Sequence, residues 1–121
     1  MIDAASFCHA RLPGGSVIAE IAFTPAPFAD ALGRPAVAQT RISGKSFSIL
    51  IQAGMDEEEL SITLYHEVLE AATVAVNSPP PAVAEFNEGD FERAAHAMHR
   101  QLGPASPVTL SLVLKQSGFD E

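Results

Sequence analysis

Cysteine is almost absent from this chain, and its scarcity restricts the kinds of site that the protein can build. Cys8 is the only cysteine among the 121 residues. With no second thiol to pair with, an internal disulfide and a metal site made of several thiolates are both excluded. Any metal must therefore be bound by nitrogen and oxygen ligands from histidine, aspartate and glutamate side chains.

Basic side chains are also few. Seven lysines and arginines stand against fifteen aspartates and glutamates, which gives a formal net charge of −8. The basic residues are scattered between Arg11 and Lys115 and form no patch. Nucleic acid and anionic membrane surfaces are therefore not expected as partners, because both are bound through clustered positive charge.

Long apolar segments are missing too. The longest uncharged run, residues 71–84, is interrupted by Asn77, Ser78 and three prolines, so no segment is expected to span a membrane. The first residues include Asp3 and lack the basic and apolar regions of a signal peptide. We therefore expect a cytoplasmic protein.

The composition that remains is that of a folded domain. Hydrophobic residues make up 47% of the chain and charged residues 18%. A chain of this length can bury well over half of the surface that it exposes when unfolded. We expect one globular domain covering residues 1–121.

The first half of the chain predicts β-strands. Three segments are rich in β-branched and apolar residues and end near prolines or glycines. These segments are residues 15–24, 36–42 and 46–52. The Ser43-Gly44-Lys45 link predicts that the last two form a β-hairpin. A short helical turn is expected at residues 28–33, with Gly33 ending it.

The second half predicts helices. Capping residues such as Asp56, Asn87 and Ser106 precede three segments with helical periodicity. The predicted helices run from about 57 to 76, from near Asn87 to Gly103, and from Pro107 to Gly118. Strands followed by helices indicate an α+β domain, in which two to three packed helices cover one face of a small antiparallel sheet of about three strands.

The first predicted helix carries the residues that are most typical of a functional site. Its apolar side chains occupy most of its circumference and leave one polar strip. The strip consists of Glu59, Thr63, His66, Glu67 and Glu70. Because residues four apart on a helix lie one above the other, His66 and Glu70 can present a nitrogen and an oxygen to one metal ion.

The run His66-Glu67-x-x-Glu70, placed on a helix after an apolar strand, resembles the His-Glu-x-x-His helix of the zincin metalloproteases. The resemblance covers residues 46–102, and Glu70 stands where the zincin motif has its second histidine. It implies that His66 and Glu70 bind Zn²⁺, that Glu67 is the general base, and that the substrate is a peptide or protein. The additional carboxylate also makes Mn²⁺ or Fe²⁺ acceptable.

A third metal ligand is expected from the second helix. Glu92 and His99 flank its core-facing stripe, whereas His96 points further from it. The run Asn87-Glu88-Gly89 resembles one that supplies the third ligand in the gluzincin aminopeptidases, at a slightly shorter spacing, which adds Glu88 as an alternative.

Two other classes compete with the hydrolase. In a non-catalytic protein interaction domain, the strip with His66, Glu67 and Glu70 would be only the solvated side of a buried helix. A di-iron carboxylate bundle is a weaker alternative, because it needs four long helices and paired Glu-x-x-His motifs.

Overall fold

Strands occupy the first half of the chain and helices the second, in a computed structural model that describes residues 2–25, 28–29, 33 and 35–119. The strands are β1 (Ala10–Arg11), β2 (Val17–Thr24), β3 (Phe28–Ala29), β4 (Pro35–Ala36), β5 (Ala38–Ser43) and β6 (Ser46–Gln52). The helices are α1 (Glu57–Ala75), α2 (Glu88–Leu102) and α3 (Pro107–Gln116), with a short 3-10 helix at Ala4–Phe7. The predicted α+β class is confirmed.

The main sheet has four strands in the order β1, β2, β6, β5. It is mixed and not antiparallel as predicted, because β2 and β6 run parallel while β5 and β6 run antiparallel. A parallel pair needs a long crossover between its strands, and residues 25–45 supply one. The predicted small antiparallel sheet was therefore wrong in strand direction, though right in its position before the helices.

The hairpin between β5 and β6 is confirmed. Ser43 pairs with Ser46, so Gly44 and Lys45 form the turn, and Gly44 has a φ of 62° that a residue without a Cβ adopts at little cost. Side chains of β6 alternate between the core and the other face. Those of Phe47, Ile49 and Ile51 are at most 1% exposed and form the centre of the core.

The predicted helical turn at residues 28–33 was wrong where it can be compared. Phe28 and Ala29 form β3, which pairs with β4. Residues 30–32 lie outside the described part of the chain. A single helical turn gains few hydrogen bonds for the backbone freedom that it loses, so strand pairing can override it.

Helix α1 begins where predicted. The side chain of Asp56 accepts a hydrogen bond from the backbone N–H of Glu59 at 2.8 Å, and three glutamates complement the positive end of the helix dipole. The helix ends one residue before the predicted position. Its buried face is broad and includes Leu64, Tyr65, Val68, Leu69, Ala71 and Ala72.

Helices α2 and α3 also match their predictions. A reciprocal capping box between Asn87 and Asp90 starts α2, and Ser106 caps α3 with Pro107 at its first position. Gly103, with a φ of 78°, ends α2. No helix within the described residues is both long enough and apolar enough to cross a membrane.

Three side-chain pairs show how α1 and α2 run past each other. Ser61 contacts His99, His66 contacts Glu92, and Glu70 contacts Glu88. Positions rise along α1 as they fall along α2, so the two helices are antiparallel. This arrangement places the polar strip of α1 beside the first turns of α2.

Candidate metal centre

The polar strip of α1 lies in a groove between α2 and the edge of the sheet. The groove has a volume of about 610 Å³. Its wall on the sheet side is formed by residues 36–40, which include the start of β5. Its other walls carry the side chains of Thr63, His66, Glu67, Glu70, Glu88 and Glu92.

His66 is the centre of this group. Its Nδ1 lies 2.7 Å from Oε1 of Glu92, a hydrogen-bond distance. Its Nε2 faces the opposite way, 3.4 Å from Oε2 of Glu88 and 3.9 Å from Oε2 of Glu70. One ring nitrogen is thus held by a carboxylate of α2, while the other faces two carboxylates from different helices.

The i, i+4 spacing has the expected result. Within the described residues, the potential ligand atoms of His66, Glu67 and Glu70 all lie within 4.8 Å of one another. A group of this size and composition could hold a metal ion through one nitrogen and carboxylate oxygens. Glu67, to which the zincin resemblance gives a role in proton transfer, is therefore close enough to act as a ligand as well.

The pKa of His66 is set by burial and by the carboxylates around it. Burial by itself would lower the pKa of this histidine. The carboxylate of Glu70 and the hydrogen bond to Glu92, together with the charges of Glu88 and Glu67, outweigh burial and raise the pKa of His66 to about 9. Without a metal, the ring is thus protonated at neutral pH, and a proton takes the place of a bound cation.

Glu70 and Glu88 form a carboxyl pair. Each of the two carboxyl groups shifts the pKa of the other, and both face Nε2 of His66. The nearby ring of His66 lowers the pKa of Glu70, and the contact with Glu70 raises the pKa of Glu88. A divalent cation can replace the proton on His66 and balance the negative charge of this pair, so the donor set fits a metal.

Glu67 lies on the sheet side of the cluster. Its Oε1 accepts a hydrogen bond from Oγ1 of Thr40 in β5 at 2.9 Å. Burial raises the pKa of Glu67, with opposing effects from Thr40 and His66. Thr40 could not be predicted as part of the site, because a threonine in a strand 27 residues away carries no local sign that it meets the helix.

The candidates for a third ligand differ in which atoms they contact. Glu92 reaches the ring of His66, but through Nδ1, and its Oε2 lies 3.2 Å from Nε2 of His96. His99 is turned instead to Ser61, with its Nδ1 2.8 Å from the hydroxyl oxygen. Of the α2 side chains, Glu88 is the one that faces Nε2 of His66.

Comparison with known proteins adds nothing to this geometry. No protein-family model, no curated protein and no solved structure matches the chain. The resemblance to zincins therefore has no support from any related protein, and the function must be argued from the site alone.

Proposed function

We propose that this protein is a metal-dependent hydrolase of peptide bonds, with a divalent cation bound by Nε2 of His66 and by the carboxylates of Glu70 and Glu88. The observation that carries the proposal is the orientation of His66. Glu92 holds Nδ1, so the other nitrogen, Nε2, faces the carboxyl pair of Glu70 and Glu88. A carboxylate that orients a metal-binding histidine through its other nitrogen is a common feature of metal sites.

The two helices contribute different parts of this site. His66 and Glu70 come from the middle of α1, and Glu88 is the first residue of α2. Three protein ligands leave a fourth position open, as in catalytic zinc sites. Two carboxylates among three ligands also favour harder ions, so Mn²⁺ and Fe²⁺ are accepted alongside Zn²⁺.

Glu67 is the general base of the proposed reaction. A bound divalent ion supplies a Lewis acid for the substrate carbonyl and lowers the pKa of water. Glu67 takes the proton from the attacking water and passes it to the leaving amine. Burial raises the pKa of Glu67 towards neutrality, which suits this exchange, and the hydrogen bond from Thr40 fixes the carboxylate in the groove.

A non-catalytic interaction domain remains the second candidate, and one observation favours it. In the absence of a metal, His66 already has carboxylate partners on both ring nitrogens, and Thr40 satisfies Glu67. A charged strip with these internal contacts can be stable without any cation.

Metal titration separates the two functions. The protein is stripped with a chelator, dialysed, and titrated with Zn²⁺, Mn²⁺ and Fe²⁺ by calorimetry at neutral pH. We expect about one equivalent to bind to the wild-type protein and to His9→Ala, and none to His66→Ala. His9 is a matched control because it lies in the N-terminal turn, away from the groove. No uptake by the wild-type protein leaves the interaction domain as the function.

A further inference from the structure

The groove is bordered by a sheet edge with unused main-chain hydrogen-bonding groups. Within the described residues, β5 pairs with β6 alone. The N–H of Gln52 donates to the C=O of Val37, and such bonded pairs alternate along an antiparallel ladder. The main-chain groups of Ala38, Thr40 and Ile42 therefore point away from β6, towards the open edge.

This open edge lies next to the candidate metal centre. The main chain of Thr40 is on the edge, and its side chain bonds Glu67 at 2.9 Å. A peptide strand paired with β5 at this level would pass beside Glu67 and His66. Val37, with 54% of its surface exposed, lies at the start of the same edge and offers an apolar contact.

The charge of the groove limits which peptides can occupy it. Among the described residues, four carboxylates line it, those of Glu67, Glu70, Glu88 and Glu92, and no lysine or arginine does. With all four ionised and one divalent cation bound, the charge is −4 + 2, or −2. A groove with a net negative charge attracts cationic segments and repels acidic ones.

We propose that this groove takes an extended peptide segment with basic side chains, which pairs with the edge of β5 and places its positive charge against the carboxylates of α1 and α2. The inference rests on the proposed function and names its substrate class. Strand pairing supplies affinity without sequence preference, and the acidic walls supply the selection.

Binding of designed peptides tests both parts. Two octapeptides share their apolar residues, and one carries two lysines where the other carries two glutamates. Each is titrated into metal-loaded Glu67→Gln protein, which should turn over the peptide far more slowly and whose groove charge, −3 + 2 or −1, is still negative. At low ionic strength we expect the lysine peptide to bind on the order of tenfold more tightly, and the advantage to shrink as salt is added. Equal affinity, or tighter binding of the glutamate peptide, overturns the inference.

The strand arrangement has its own control. A lysine peptide that is N-methylated at alternate residues keeps its charge but cannot pair with β5. We expect it to lose on the order of tenfold in affinity, since strand addition depends on main-chain hydrogen bonds. Unchanged binding of the methylated peptide overturns the pairing with β5.

Two lysine substitutions locate the binding site on the protein. Val37→Lys adds a positive charge at the groove and should remove the preference for the lysine peptide. Val108→Lys adds the same charge on α3, at a side chain that is 70% exposed, and should preserve the preference. Both positions are exposed, so neither substitution disturbs the core. An unchanged preference in Val37→Lys overturns the assignment to this groove.

The metal content of the same samples distinguishes this inference from the proposed function. The titrations are repeated on the metal-free protein, where the four carboxylates still outnumber the single positive charge of His66. A protein that binds metal but shows no charge preference refutes the substrate class alone. A protein that binds no metal refutes the hydrolase, whatever its peptide preference.

Discussion

Helices α1 and α2 meet through two histidine contacts that differ in almost every respect. At one end, Ser61 is fully buried and lies 2.8 Å from Nδ1 of His99. The hydroxyl oxygen of Ser61 also accepts the N–H of Ala105, which ties the start of α3 to the helix pair. At the other end, His66 lies among carboxylates in an open groove.

The difference shows what a histidine needs to become a candidate for chemistry. His99 meets a neutral hydroxyl that has already bonded to the backbone, so its contact stabilises packing. His66 meets several negative charges, which raise its pKa to about 9. The same charges could hold a metal ion in place of the proton on the ring. Perturbed pKa values in a cleft are typical of functional sites, whereas a hydrogen bond to a buried hydroxyl is typical of structure.

The largest expected effect is on catalysis, and it should come from Glu67, in the groove beside His66. If the groove is catalytic, Glu67→Gln should lower the hydrolysis of a peptide library by about 10²- to 10⁴-fold, because the amide cannot accept the proton. Metal content and melting temperature should stay close to those of the wild-type protein, since an amide keeps the shape and the hydrogen bond to Thr40. Full activity in this variant would exclude Glu67 as the base.

The next largest effect should separate Glu92 from His99. Glu92→Gln removes the charged partner of Nδ1 and should weaken metal binding by about 10- to 100-fold, with little change in stability. His99→Gln should leave metal affinity unchanged and lower the free energy of unfolding by about 1 kcal/mol, through the lost bond to Ser61. Calorimetric metal titration and urea unfolding of both variants measure the two quantities. A loss of metal in His99→Gln would make it the third ligand instead.

The smallest expected effect is a pH dependence of the metal-free protein. The pKa of His66 is raised from an ordinary 6.5 to about 9, so its protonated form stabilises the fold. This stabilisation is complete below pH 6.5 and is lost as the pH rises through 9. The carboxylates around His66 are partly exposed, and solvent weakens their effect. We therefore expect the free energy of unfolding to fall by only about 1 to 2 kcal/mol between these pH values.

Urea unfolding in the presence of a chelator, at pH 6 and at pH 9.5, measures this loss. His66→Gln serves as the control, because it carries no titrating ring and should show a flatter profile over the same range. An equally steep decline in both proteins would assign the pH dependence to other groups.

The helices were predicted well because their signals are local. Asp56, Asn87 and Ser106 each accept a backbone N–H of the first turn that follows, as their positions indicated. The hairpin was predicted for the same reason, from Gly44 and the alternation of β6. The parallel direction of β2 and β6 was not predicted, because it depends on the path of the long connection between the two strands.

The candidate site, like the fold, could be predicted only where the signal is local. The spacing of His66, Glu67 and Glu70 sufficed to predict that they share one face of α1, since helix geometry fixes which residues are neighbours. Spacing on α2 also selected Glu92, but ranked it equally with His99. The two separate only when the helices pack, because the level of each residue along α2 decides whether it meets a carboxylate cluster or a buried serine.

The sequence by itself determined the three helices and the β5–β6 hairpin, the composition of the polar strip and the exclusion of thiolate metal chemistry, because these depend on neighbours along the chain and on which residues are present. Only the tertiary structure decided that Thr40 holds Glu67, that Glu92 takes Nδ1 of His66 and that Glu88 faces Nε2. These contacts join residues 22 to 27 positions apart, from separate elements. Their distances are set by how the helices and the sheet pack around a common core, which no local pattern encodes.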